Sequence, residues 1–172
     1  DPRPVTDTRA YDERGGKMPL VLNEKQSQLL STAEDFFARK APVSALRALR
    51  DRRDIDGFSR ELWRDMVAMG WPSAILPEQY GGLGLGFTEL GVVMQASGRT
   101  LVASPLFSSV ALGASGILLG GSEIQKSALL PRIGSGELLV TLALEESPHH
   151  DPRAIAAAAT PHGDGFRINA VK

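Results

Sequence analysis

The sequence predicts a mainly α protein, a helical bundle with a β segment attached after it. Apolar residues recur at helical spacing up to a GSG turn at Gly134–Gly136, and beyond it the pattern breaks into short runs separated by turn residues. The stretch from Thr100 to Ser122, between Arg99 and Glu123, carries no charge, and a helix of that kind must be covered by neighbours on most sides. With 172 residues and 42% apolar content the chain can bury a core. The expected organisation is a disordered leader over 1–19, a helical domain over 20–136, and a β segment over 137–172.

The leader reading rests on DPRPVTDTRAYDERGGK, which is polar, holds two prolines and two glycines, and shows no periodicity, whereas Met18 with PLVLNEKQ resembles a natural start. Asn23 is placed to cap a first helix through Leu29, Leu30, Ala33, Phe36 and Phe37, with Pro42 marking its end. A second helix is expected from about Phe58 to Met69, burying Leu62, Met66 and Met69 with Trp63 beside them and stopping at Gly70. The intervening LRALRDRRDIDG reads as a charged, exposed connection. Leu76–Phe87 has four glycines within six residues, too many for a helix interior, so an ordered loop is expected. Thr88 resembles the cap of a third helix through Leu90, Val93 and Met94 to Gly98. The uncharged stretch supplies the fourth, and Ser122 caps a fifth that ends near Pro131. After the GSG turn, LLVTLALEE, AIAAAAT and GFRINAVK read as strands, although the alanine run favours helix.

Composition removes several functions. A net charge of −1 gives no basic field for nucleic acid or an anionic membrane. The absence of cysteine excludes disulfides, thiolate metal sites, iron–sulfur ligation and cysteine nucleophiles. No signal-peptide pattern is present, and a cytoplasmic location is expected. The uncharged stretch has the length of a membrane span, but Ser104, Ser108, Ser109, Ser115 and Ser122, Pro105 and four glycines favour a buried helix.

The local chemistry is sparse. The glycine loop fails GxGxxG, because the sixth position from Gly82 is Phe87, and no Gly-Lys-Ser/Thr completes a P-loop. His149, His150 and Asp151 are neighbours whose side chains alternate, with no further ligand pair, so a solvated turn is expected and no metal site is assigned. Gly113-Ala114-Ser115-Gly116-Ile117 lacks the final glycine of a nucleophile elbow. Glu145 and Glu146 should point to opposite faces, which separates them as an acid/base pair.

The order of these features is more informative than any one. GWPSAILPEQYGGLGLGFTELGVVMQASGRTL resembles the N-terminal helical domain of flavin-dependent acyl-CoA dehydrogenases, with their P-E-x-Y-G-G-x-G step before a helix. GGSEIQKSALLPRIGSGELLVTLALEE is similar to the family run that leads into the central β-domain, and the resemblance, which covers about Leu20 to Lys172, implies that 137–172 are the first strands of a β-barrel-like middle domain left incomplete at Lys172. It implies FAD as cofactor, an acyl-CoA substrate oxidised to the trans-2-enoyl-CoA, an electron-transfer flavoprotein as acceptor, and a homo- or hetero-oligomer. It implies flavin contacts from Leu142, Leu144 and Glu145, largely through backbone groups, and puts Ser104, Phe107 and Ser108 near the substrate tail. The family's glutamate base belongs to a third, helical domain, so no catalytic residue is assigned in this chain.

One departure falls among the flavin contacts. The family pattern A-L-T-E-P-x-x-G-S-D is here Ala143-Leu144-Glu145-Glu146-Ser147-Pro148, then His149, His150 and Asp151, with the threonine and the Gly-Ser step replaced. An unneutralised Glu145 would oppose a reduced, anionic flavin. The segment HHDPRAIAAAATPHGDGFRINAVK is similar to small subunits of pimeloyl-CoA-type and steroid-catabolic dehydrogenases, where a flavin-competent subunit pairs with a degenerate one. The alternative that follows is a noncatalytic partner subunit or a truncated chain with an assembly role.

Overall fold

The computed structural model describes residues 21–151 and 153–172; the leader expected over 1–19 lies outside the described residues. Helix α1 (Glu24–Lys40) starts as its sequence dictates. The Asn23 side chain accepts from the Gln26 N–H at 2.9 Å, and the Gln26 side chain accepts in return from the Asn23 N–H at 3.0 Å. Its buried face carries Ala33, Phe36 and Phe37. Phe36 lies edge-on to Phe37, with 5.2 Å between ring centroids, and to Trp71 at 4.8 Å.

The charged connection expected after α1 is in part a helix, α2 (Val43–Asp51). Val43, Leu46 and Leu49 recur every third residue, and the burial of Leu49 fixes the short helix despite its arginines. It ends where Arg53 turns left-handed, at φ 51°. Helix α3 (Arg60–Ala68) is capped by the Ser59 hydroxyl, buries Leu62, Trp63 and Met66, and stops at Gly70, which is left-handed at φ 76°.

The glycine loop is ordered, as expected. The N–H groups of Leu83, Gly84 and Leu85 donate to the carbonyls of Ser73, Leu76 and Ala74 at 2.8 to 3.0 Å. Gly82 lies so close to the Leu76 carbonyl that a Cβ would stand 1.9 Å from its oxygen. Helix α4 (Phe87–Arg99) then begins one residue before the Thr88 cap the sequence suggests. The cause is Glu89, whose carboxylate accepts from the Gly86 N–H at 2.9 Å and from the Gln26 side chain of α1 at 2.8 Å. The Gln26 hydrogen bond and those backbone bonds hold the Glu89 carboxyl below the usual carboxylate range. Leu90, Val93 and Ala96 pack α4 into the core shared with α1.

The uncharged stretch is not one all-round buried helix. It turns at Leu101 (φ 55°) and Pro105, winds as a π-helix over Leu106–Ala114, and continues as α5 (Ser115–Gly120). Leu106, Ser109, Val110, Gly113 and Ala114 are buried, while Phe107 and Leu119 are exposed, so cover comes from one side. Helix α6 (Glu123–Gly134) has the Ser122 cap and runs past Pro131, contrary to expectation, because Leu130 and Ile133 are both fully buried and hold its last turn. Tyr80 of the glycine loop donates to the Glu123 carboxylate at 2.7 Å, and this bond, with Lys126, lowers the Glu123 pKa.

The GSG turn ends the bundle. Gly136, left-handed at φ 72°, presents its carbonyl to the Trp63 indole N–H at 3.1 Å. Residues 138–146 follow without a strand partner among the described residues, so the first expected strand is a chain segment laid on the helices. The other two expected strands form a hairpin, β1 (Ala158–His162) antiparallel to β2 (Gly165–Asn169), with Ala158 opposite Asn169. The expected strand at 154–160 begins only at Ala158, because the Ala156 and Ala157 N–H groups donate to the Glu146 carboxylate instead. Among the described residues, no helix is long and apolar enough to cross a membrane.

Candidate functional site

The site is built where the bundle hands the chain to its last third. Ser109, on the buried side of the π-helix, donates its hydroxyl to the Val140 carbonyl at 2.9 Å and accepts from the Val140 N–H at 3.1 Å. One side chain therefore satisfies both backbone groups of one residue, as a neighbouring strand would. The helix is bare where the segment lies on it: a Cβ on Gly113 would sit 2.3 Å from Val140 Cγ2, and one on Gly116 would touch Leu142 Cδ1 at 3.8 Å. Small residues at 109, 113 and 116 share one face of the helix and let the segment approach.

Beyond Val140 the backbone is open. The N–H groups of Thr141 to Glu146 have no protein acceptor among the described residues. The Leu142 and Leu144 side chains are exposed, at 45% and 39%. An open groove of about 420 Å³ runs beside Leu142, lined also by Gly113, Gly116, Ile117, Gln125 and Leu129 among others. A separate cavity of about 260 Å³ between α2, α3 and Thr100–Ala103 is lined by no residue of the expected flavin set or substrate set.

The two adjacent glutamates are separated as alternation requires, and each is engaged. Glu145 meets the His150 ring nitrogen through one oxygen and accepts from the Asp151 N–H at 3.2 Å through the other. The turn at His149–Asp151 is thus held by Glu145, while His149 and His150 are exposed. Glu146 accepts from Lys172 Nζ at 2.6 Å and from the Ala156 and Ala157 N–H groups at 2.7 and 3.1 Å. The Lys172 ammonium first, then those two N–H groups, hold its carboxyl down to about 2. Among the described residues, no group of three His, Cys, Asp or Glu side chains could hold a metal ion.

The residues expected near a substrate tail divide. Ser108 donates to the Pro105 carbonyl at 3.2 Å and Ser104 accepts from the Leu106 N–H at 3.5 Å, so both hydroxyls serve the start of the π-helix. Phe107 is 53% exposed and is the apolar side chain of the three that is free to meet a ligand. In the sequence, Ser109, Gly113 and Gly116 count against a membrane span, and the two glycines belong to an incomplete nucleophile elbow; none is read there as a seat for another segment. Their i, i+4, i+7 spacing was the available signal for a backbone approach. Lys172 and the role of Glu146 gave no local signal, because 26 residues separate them.

These residues fit a flavin. A planar, hydrogen-bonding ring system needs unpartnered backbone donors on an accessible segment beside an apolar face, and Thr141 to Glu146 provide them. Glu145, whose charge would oppose a reduced flavin, is itself engaged by the His150 ring and the Asp151 N–H.

Residues 23–137 match the family model for the acyl-CoA dehydrogenase N-terminal domain. The chain is 32% identical over 156 residues to mitochondrial isovaleryl-CoA dehydrogenase of Bos taurus, an alignment that covers 88% of this chain and 36% of that protein. Among solved structures, the ChsE4-ChsE5 complex from Mycobacterium tuberculosis superposes with a TM-score of 0.74 at 27% identity, covering 88% of this chain and 40% of that one. An acyl-CoA dehydrogenase complexed with FAD from Bacillus anthracis gives a TM-score of 0.74 at 25% identity, over 90% of this chain and 27% of the other. The chain thus spans about a third of the length of the curated relative.

Proposed function

The chain belongs to the acyl-CoA dehydrogenase family, and from that premise we propose that it forms the helical wall and the flavin-facing start of the β-domain of an FAD-dependent enzyme. The reaction is oxidation of an acyl-CoA thioester to the trans-2-enoyl-CoA, with electrons passed on to an electron-transfer flavoprotein. The observation that carries this reading is the open backbone of Thr141 to Glu146, laid on a bare helix face by Ser109. When bound, FAD supplies the two-electron acceptor for the hydride that leaves the substrate Cβ. Leu142, Leu144 and Glu145 offer it backbone groups, and the side chains of the two leucines exclude water from that face. Phe107 packs against the acyl tail, while Ser104 and Ser108 shape the turn that presents it. The acceptor of the α-proton is assigned to no residue of this chain.

A second reading has its own support. Glu145 stands where the family pattern has threonine, and its carboxylate is committed to His150 and the Asp151 N–H rather than offered toward the groove. That favours a partner subunit whose flavin face is built for assembly with a flavin-competent copy. Flavin absorbance of the full-length protein, purified alone and after co-expression with a second acyl-CoA dehydrogenase subunit, separates the two. Bound flavin in the protein alone supports the enzyme reading, and flavin only in the complex supports the partner subunit. Flavin in neither preparation overturns the flavin assignment.

A further inference from the structure

We propose that Glu146 is a positioning residue: with Lys172 it anchors the far end of the Thr141–Glu145 span and so holds the backbone that faces the flavin. The inference rests on the flavin reading above. The span has two posts, and between them none of its backbone N–H groups is taken up by the described residues. Val140 is fixed by Ser109 at one end, and no backbone N–H from Thr141 to Glu146 has a protein acceptor among the described residues. At the other end Glu146 gathers two other pieces of chain, Ala156–Ala157 and Lys172, around one carboxylate, which is only 14% exposed. Its Oε1 takes the Lys172 ammonium at 2.6 Å, its Oε2 the Ala156 N–H at 2.7 Å, and the Ala157 N–H reaches both oxygens at 3.1 and 3.2 Å. Lys172 also donates toward the Leu144 carbonyl at 3.4 Å, inside the flavin-facing segment itself.

Charge-assisted bonds of this kind are shorter and stronger than neutral ones. A carboxylate that accepts them from three sites resists rotation in a way a single ion pair does not. Five residues of extended chain between two fixed ends have little freedom to swing away from the helix. Five residues fixed at one end sweep widely. The two N–H groups taken by Glu146 also delay the start of β1 until Ala158, so one side chain sets both the end of the flavin-facing span and the start of the hairpin. Glu145 contributes none of this, since its contacts close only the local turn to His150 and Asp151.

The test compares full-length protein with E146Q and K172M, reading amide exchange at Ala156 and Ala157 and flavin affinity by fluorescence titration. E146Q keeps the side-chain size while removing the charge, and K172M leaves the carboxylate and its backbone donors in place. The expected result is faster exchange at both alanines in E146Q, and flavin affinity weaker by roughly tenfold in E146Q and by a smaller factor in K172M, the scale of lost bonds to a charged group. The helical-core amides should be unchanged, which distinguishes a lost anchor from unfolding. The charge-reversed pair E146K with K172E should recover part of the affinity lost by E146K alone. Unchanged alanine exchange in E146Q overturns the anchor. Faster exchange with unchanged flavin affinity overturns its role toward the flavin, and a wild-type protein that binds no flavin, with exchange altered in E146Q, defeats the flavin reading while leaving the anchor standing.

Discussion

The bundle and the last third of the chain are held together by different forces. In the bundle, Phe37, Met66, Leu76, Leu90, Leu106, Leu130 and Ile133 are fully buried, and polar bonds such as Tyr80 to Glu123 tie loops onto a core already formed. From Leu139 onward the order reverses. Every residue of β1 and β2 is exposed, Phe166 and Ile168 included, and the segment is placed by side chains that grip backbone: Ser109 on Val140, Glu146 on Ala156 and Ala157. Burial resists change almost anywhere in the bundle, whereas the site depends on a few polar anchors. The proposed flavin contacts lie where the first kind of order gives way to the second.

The largest effect that sharpens this contrast is Phe37→Ala. Removing a ring at zero exposure that packs on Phe36 and Trp71 should cost about 3–5 kcal/mol and lower the thermal midpoint of the whole bundle. Calorimetry or chemical denaturation checks it. Ser109→Ala comes next. It strands both backbone groups of Val140 and should cost about 2 kcal/mol, with amide exchange rising around residues 138–144 and little change in α1 or α4.

The anchors also differ in their response to acid. Glu146 is held at about 2 against an ordinary 4.5, a lowered value, so its contribution is complete above 4.5 and fades as pH falls toward 2. Amide exchange at Ala156 and Ala157, corrected for intrinsic rates, should therefore rise through that window before the bundle unfolds. The smallest effect is Ile168→Lys, at 71% exposure: the unfolding free energy should change by less than about 0.5 kcal/mol. A larger loss would mean that the hairpin contributes to the same core as the bundle.

Much of the bundle was legible because its signals are local. Asn23 and Ser122 cap as their sequence spacing implies, Gly70 and Gly136 turn left-handed, and the glycine loop is ordered. The departures came chiefly from tertiary contacts, although the Glu89 to Gly86 bond at the start of α4 spans only three residues and is a local signal. Glu89 moved the start of α4 by reaching Gly86 and Gln26, Leu130 and Ile133 carried α6 through Pro131, and the burial of Leu49 made a helix of a charged run. At the site, the resemblance pointed to the segment proposed to face a flavin, while the residues that hold that segment were not legible. Ser109 is 31 residues from Val140 and Lys172 is 26 from Glu146, and no pattern of neighbours encodes such pairs.

The most direct measurement is amide hydrogen exchange across Thr141–Glu146 of the full-length protein, with and without saturating FAD. These N–H groups have no protein acceptor among the described residues. They should exchange fast in the flavin-free protein and become protected on FAD addition, while the amides of α1 and α4 stay as they were. Protection that is already present without FAD, or exchange that FAD leaves unchanged, would contradict the account.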